Sequence, residues 1–204
     1  MPSLRDAPSS PRRLILRGGL ALAACLTACV ATPALAGERA GVTLPDQATV
    51  DGRTFVLNGM GLRRATWLRV RIYVAGLYLE ERSLDADAIL RPERTKRVVL
   101  VFVRAVGRDD LLAAWDESFQ ENQGEDIAAM AASIAMFHSF MPDRVAKGDT
   151  FTFTYMPETG VLVALKDEPR GTIPGAAFAR SLFATWLGKK TPSPALKEGL
   201  LGLR

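Results

Sequence analysis

Apolar residues recur along this chain with two periods. From 67 to 80 they alternate, with Leu68, Val70, Ile72 and Val74 on one side and Trp67, Arg69, Arg71 and Tyr73 on the other. A period of two belongs to a strand with one face against a core. A long strand is therefore expected, its aromatic and arginine face turned to solvent or to a polar cavity. A second β-rich run covers 95–104. The runs 150–156 and 161–166 predict a hairpin around Glu158-Thr159-Gly160. Asp51-Gly52, between 47–50 and 53–57, predicts a two-residue hairpin turn, because both central positions need positive φ. Asn58-Gly59-Met60-Gly61 predicts a tight loop.

Elsewhere the period is helical. Leu111, Leu112, Trp115 and Phe119 share a face over 109–122. Ile127, Met130, Ile134, Phe137 and Met141 do so over 126–141, with Gly124 separating the two segments. Phe178, Leu182 and Trp186 mark a third helix ended by Gly188, and 194–201 predicts a last short one. Ser83 is the expected cap of a short helix reaching Leu90, with Asp85 and Asp87 in its first turn. Strands, then helices, then a hairpin, then helices make an α+β domain, with a mostly antiparallel sheet covered on one face by helices.

Residues 1–36 read as a signal peptide. Arg12, Arg13 and Arg17 precede an apolar stretch over 18–30 broken only by Thr27, and Ala34-Leu35-Ala36 offers a signal-peptidase site before Gly37. The apolar run is shorter than the ~20 residues a membrane span needs. Two features compete with simple cleavage. Arg12-Arg13 resembles a twin-arginine export signal. Cys25 and Cys29 each end a quartet resembling a bacterial lipobox, which makes both lipidation candidates. The expected product is one domain over 37–204, periplasmic or secreted, touching membrane only through its signal or a lipid anchor.

This leader changes the meaning of the charge. The whole chain is +4, but the leader holds four of its 26 basic residues and one of its 22 acidic ones, leaving 22 against 21 and a net +1. The basic residues of the domain gather only at Arg63-Arg64 with Arg69 and Arg71, so a nucleic-acid partner is not expected. Both cysteines lie in the leader, and one histidine excludes a multi-histidine metal site. No metal or cofactor is expected. The glycine-rich nucleotide loops, the paired-histidine zinc motif and the G-x-S-x-G elbow are all absent from the sequence. His138, beside Phe137 in a helical segment, reads as structural. The pairs Asp109-Asp110, Asp116-Glu117 and Glu125-Asp126 read as helix starts or solvent-facing groups.

Leu57-Asn58-Gly59-Met60-Gly61-Leu62-Arg63, followed by Tyr73-Val74-Ala75-Gly76-Leu77-Tyr78-Leu79-Glu80, resembles the chalcone isomerase superfamily. Trp115 through Asn122, Lys147-Gly148-Asp149, Trp186-Leu187-Gly188, Pro192, Leu196-Lys197 and Leu200-Leu201-Gly202 follow the order of its bacterial chalcone isomerase-like branch. The resemblance implies an α+β open-faced β-sandwich with a cleft between a long sheet and a helical layer. Plant members cyclise chalcones to flavanones, and other members bind fatty acids in the same cleft. Arg63 falls at the superfamily's functional arginine, a permanent cation whose fork of donors suits a carboxylate or an oxyanion.

The departures narrow this. Tyr73 stands where the plant enzymes carry a catalytic threonine, 107–111 lacks their tyrosine, and their asparagine falls near Glu117. Of the polar set only Arg63 carries over. The leading expectation is a non-catalytic binder of a small apolar, fatty-acid-like ligand, with Arg63 on the anionic head and Tyr73 as second donor. One alternative is an intramolecular lyase or isomerase using Arg63 as its catalytic oxyanion stabiliser. Another is a cell-envelope interaction module, filled beside Arg63 by Trp67, Tyr73 and Trp115.

Overall fold

The structure is a computed structural model that describes residues 37–65, 70–191 and 193–204, with side chains outside 123–126. The expected leader, its cysteines Cys25 and Cys29, and Trp67, Leu68, Arg69 and Pro192 lie outside the described residues.

A short hairpin, β1 (Gly37–Arg39) and β2 (Val42–Leu44), precedes the main sheet. That sheet has seven antiparallel strands: β3 (Gln47–Val50), β4 (Arg53–Ala65), β5 (Val70–Leu79), β6 (Lys96–Phe102), β9 (Thr150–Met156), β10 (Gly160–Leu165) and β11 (Glu168–Ile173). Their spatial order is β11-β10-β9-β6-β5-β4-β3. The small pair β7 (Val106–Gly107) and β8 (Arg144–Val145) ties down the helical insertion. The helices are α1 (Ala86–Ile89), α2 (Arg108–Gln123), α3 (Ala131–Ser139), α4 (Ala176–Leu187) and α5 (Pro194–Leu200). A 3₁₀ segment, Gly124–Met130, joins α2 to α3 where continuous helix was expected from 126.

The α+β class and the helix-covered antiparallel sheet hold. The main core lies between the sheet and the helices. Leu77, Val98, Leu100, Phe151 and Phe153 from the sheet meet Leu111, Trp115 and Phe119 of α2, Phe137 of α3, and Phe178, Leu182 and Trp186 of α4. Trp115 stands edge-on to Phe137 at 5.2 Å, Trp186 at 5.5 Å and Phe153 at 5.7 Å between ring centroids. Such pairs add ~0.5–1.5 kcal/mol each beyond simple burial. A smaller cluster on the other sheet face gathers Phe55, Leu57, Met60, Leu62, Val74 and Tyr78 around Leu44 and Val42 of the β1–β2 hairpin.

The predicted turn at Asp51-Gly52 is present, with φ of 49° and 75°. Asn58-Gly59-Met60-Gly61, however, is continuous strand within β4. Its glycines serve a close approach. A Cβ on Gly61 would lie 2.5 Å from the Leu196 carbonyl oxygen, and one on Gly59 would lie 2.8 Å from that of Leu200. Helix α5 therefore rests backbone on backbone against β4. Asn58 stitches the contact, its Nδ2 donating to the carbonyls of Leu200 at 2.8 Å and Ser83 at 3.0 Å.

Helix α1 is capped by Asp85, not by Ser83. Asp85 Oδ1 accepts from the amides of Asp87 at 2.9 Å and Ala88 at 3.1 Å. Ser83 Oγ accepts from the amide of Asp85, just before the helix begins. Strand β11 had no expected counterpart. Its polar sequence carries Pro169 and Gly171, which suits an edge strand. The turn before it places Lys166 and Asp167 at positive φ without a glycine to announce it.

Candidate functional site

One cavity of about 380 Å³ opens between the helix-side face of the sheet and helices α2, α4 and α5. Arg63 and Ala65 of β4, Ile72 and Tyr73 of β5, and Phe102 of β6 form its sheet wall. Arg104, Ala105 and Val106 continue it beyond β6. Asp110, Leu111, Ala114, Trp115 and Ser118 of α2 face them, with Thr185 of α4, Thr191 and Leu196 of α5 closing the remainder. The volume falls in the lower part of the ~300–1,000 Å³ range of small-molecule sites.

Arg63 and Tyr73 are brought together by pairing. The β4–β5 register sets them opposite one another. The register then shifts, so that Arg64 pairs with Arg71 and Ile72 has no partner on β4. Strict alternation would set Ile72 and Tyr73 on opposite faces. The irregularity instead turns both toward the helix-side core, leaves Arg71 exposed, and puts Val74 in the other cluster. Tyr73 thus faces the cavity as one of the two expected alternatives required, while Arg71 takes the solvent.

The Tyr73 hydroxyl oxygen accepts from Trp186 Nε1 at 3.1 Å, and its ring lies 5.6 Å from that of Phe102. Desolvation pushes its pKa above the ordinary phenol value, against the smaller opposing pulls of the Trp186 hydrogen bond and the Arg63 charge. The phenol stays protonated near neutrality, and its proton is directed to no acceptor among the described residues. Arg63 Nη1 donates to the Arg64 carbonyl at 3.0 Å, which fixes one arm of the guanidinium. A neutral hydroxyl donor beside a permanent cation can hold a carboxylate or a developing oxyanion.

Sequence reasoning missed Arg104 and Asp110, both exposed and both on the cavity wall. It also missed Ser118 and Thr185, which become neighbours of the cavity only when α2 packs on α4. Glu117 is exposed and absent from the wall. His138 bonds Asp116 through Nε2 at 2.8 Å and is absent from the cavity wall. Arg108, at the start of α2, donates to the His138 carbonyl at 2.8 Å and to that of Met141. This buckle fixes α3 against the helix that forms half the cavity wall. Among the described residues there is no cluster of metal-ligating side chains, and no helix is long and apolar enough to cross a membrane.

A curled antiparallel sheet with a helical layer, an insertion between β6 and β9, and a cleft with an arginine of β4 on its wall define the class as α+β with an open cleft. The sequence matches the chalcone isomerase-like family over residues 36–202, and the chain belongs to that family. Among solved structures it is similar to a fatty-acid binding protein of Arabidopsis thaliana, with a TM-score of 0.66 at 14% identity, covering 82% of this chain and 96% of that one. At that identity the likeness is one of fold. No curated protein sequence matches.

Proposed function

We propose that this protein is an exported, non-catalytic binder of a small apolar ligand with an anionic, fatty-acid-like head. One observation carries the reading. Arg63 and Tyr73, paired across β4 and β5, both line a cavity whose larger apolar residues are Ile72, Phe102, Leu111, Trp115 and Leu196, with Arg104 and Asp110 at its exposed part. Arg63 and the Tyr73 proton hold the carboxylate, and the apolar wall takes the chain. The fatty-acid binding protein of the same fold supports this reading.

A charge-assisted hydrogen bond contributes ~1.5–3 kcal/mol, so Arg63→Ala should weaken acyl-chain binding at least tenfold. Native mass spectrometry of gently purified protein should find a co-purified acyl ligand. No bound lipid, together with acyl affinity indifferent to Arg63→Ala, overturns the reading.

The pairing of a cation with a neutral phenol also suits oxyanion stabilisation, which favours a second reading as an intramolecular lyase of the isomerase type. Turnover of an enone substrate that is lost in Arg63→Ala would establish it. A cavity beside Arg63 speaks against an interaction module with a filled core.

Export rests on the leader. Mass spectrometry of the mature N-terminus separates its forms: a free amine on Gly37 means simple cleavage, and a lipidated Cys25 or Cys29 means an anchored protein.

A further inference from the structure

We propose that the ligand carries a second, neutral oxygen group, a hydroxyl or a carbonyl on its apolar body, received by Trp115 Nε1 and the hydroxyls of Ser118 and Thr185. The proposal rests on the acyl-ligand reading of the cavity and specifies the class of chain. All three residues line the cavity. All three are more than nine-tenths buried, at 5%, 3% and 7% relative exposure. Yet the indole nitrogen and both hydroxyl oxygens have no hydrogen-bond partner among the described residues. Among the described residues six buried side-chain polar atoms lack a hydrogen bond; one of them, on Glu198, is in an ion pair with Arg204, and three of the other five belong to this one wall.

A buried polar group without a partner loses ~1–3 kcal/mol of stability, and native interiors hold few of them. Their concentration on one wall points to a shared partner supplied from the cavity. The neighbouring indole makes the contrast. Trp186, 5.5 Å from Trp115 between ring centroids, has its nitrogen satisfied by Tyr73.

The placement follows from helix geometry. Trp115 and Ser118 are three residues apart on α2 and so share a face. Thr185 comes from α4, which packs on α2. Asp110, exposed near the start of α2, lies eight residues before Ser118, about 12 Å along the helix. The trio is thus an inner polar locus, separate from the exposed charges of Arg104 and Asp110.

An indole N–H only donates, while the hydroxyls can donate or accept. The incoming group must therefore offer an acceptor oxygen. A second carboxylate would have to surrender its hydration to three neutral groups, so a neutral oxygen fits better. A plain alkyl chain laid on this wall leaves all three groups unpaired, and sites built around a hydrogen bond discriminate strongly against analogues that lack it.

Calorimetric titration of the full chain with decanoic acid and with its hydroxy and oxo isomers tests this. At least one oxygenated isomer should bind ten times tighter or more than decanoic acid. That preference should fall below threefold in Trp115→Phe, Ser118→Ala and Thr185→Val. Ser118→Ala and Thr185→Val keep the test valid should the tryptophan variant fold poorly. Equal binding of decanoic acid and every isomer overturns the proposal and assigns the trio to ordered water. A preference that survives all three substitutions overturns it too. Both acids should weaken alike in Arg63→Ala. Binding of neither acid, or binding indifferent to Arg63→Ala, overturns the acyl-ligand reading itself and this proposal with it.

Discussion

Lys96 is a cation buried in the core, with 1% of its surface exposed. Its Nζ donates to the carbonyls of Arg91 at 2.9 Å and Arg94 at 3.1 Å and lies 4.7 Å from the centre of the Tyr155 ring. Desolvation outweighs the favourable charge of Glu93 and lowers its pKa from 10.5 to about 8. Below pH 8 the lysine is charged in both states, and the folded state bears the full penalty. Between pH 8 and 10.5 the unfolded chain still holds the proton that the folded chain has released. Stability therefore rises with pH across that window. A tenfold difference in proton affinity between the two states is worth about 1.4 kcal/mol, and the gain realised between pH 8 and pH 10 is about 2 kcal/mol. Tyr78, raised to about 12, acts oppositely, but only above pH 10, where the unfolded phenol ionises first. Other groups also titrate, so the difference between wild type and Lys96→Met isolates the effect. Urea unfolding of both at pH 8, 9 and 10 should show wild type gaining about 2 kcal/mol relative to the variant. Parallel profiles, or a gap that moves the other way, refute the reasoning.

Two further substitutions test the frame of the site. Gly61→Ala places a methyl against the Leu196 backbone, where neither β4 nor α5 can yield cheaply; overpacking predicts a loss of ~1–3 kcal/mol by denaturant unfolding. Asp85→Ala should lower stability by ~1 kcal/mol, and Ser83→Ala by clearly less, because only Asp85 accepts from two amides of the first turn of α1. Equal effects by thermal melting would contradict that assignment of the cap.

Much of the architecture was legible because alternation and helical spacing report one buried face directly. The order of elements, the Asp51-Gly52 turn and the apolar faces of α2 and α4 all follow from local pattern. Gly59 and Gly61 misled because glycine marks both a turn and a place where another backbone comes close. Only the position of α5, more than 130 residues later in the chain, distinguishes the two. Strand β11 was silent because an edge strand needs neither alternation nor β-branched residues. Within the site, Arg63 was legible through its glycine-flanked motif. Tyr73 was legible as a residue, but its orientation depended on a register shift that no single strand's sequence expresses. Ser118 and Thr185 could not be paired in advance, since their only relation is the packing of α2 on α4.

The contact between Trp115 and Trp186 gives the molecule a built-in optical probe. One indole forms part of the cavity wall, and the other is hydrogen-bonded to the tyrosine that faces the cavity. Their rings meet edge-on at 5.5 Å, close enough for the two chromophores to couple electronically. Their near-ultraviolet circular dichroism and fluorescence therefore depend on the geometry of the cavity wall. Occupancy by the proposed ligand should therefore be readable in the unlabelled protein, with Trp115→Phe and Trp186→Phe assigning the signal to one side of the pair or the other.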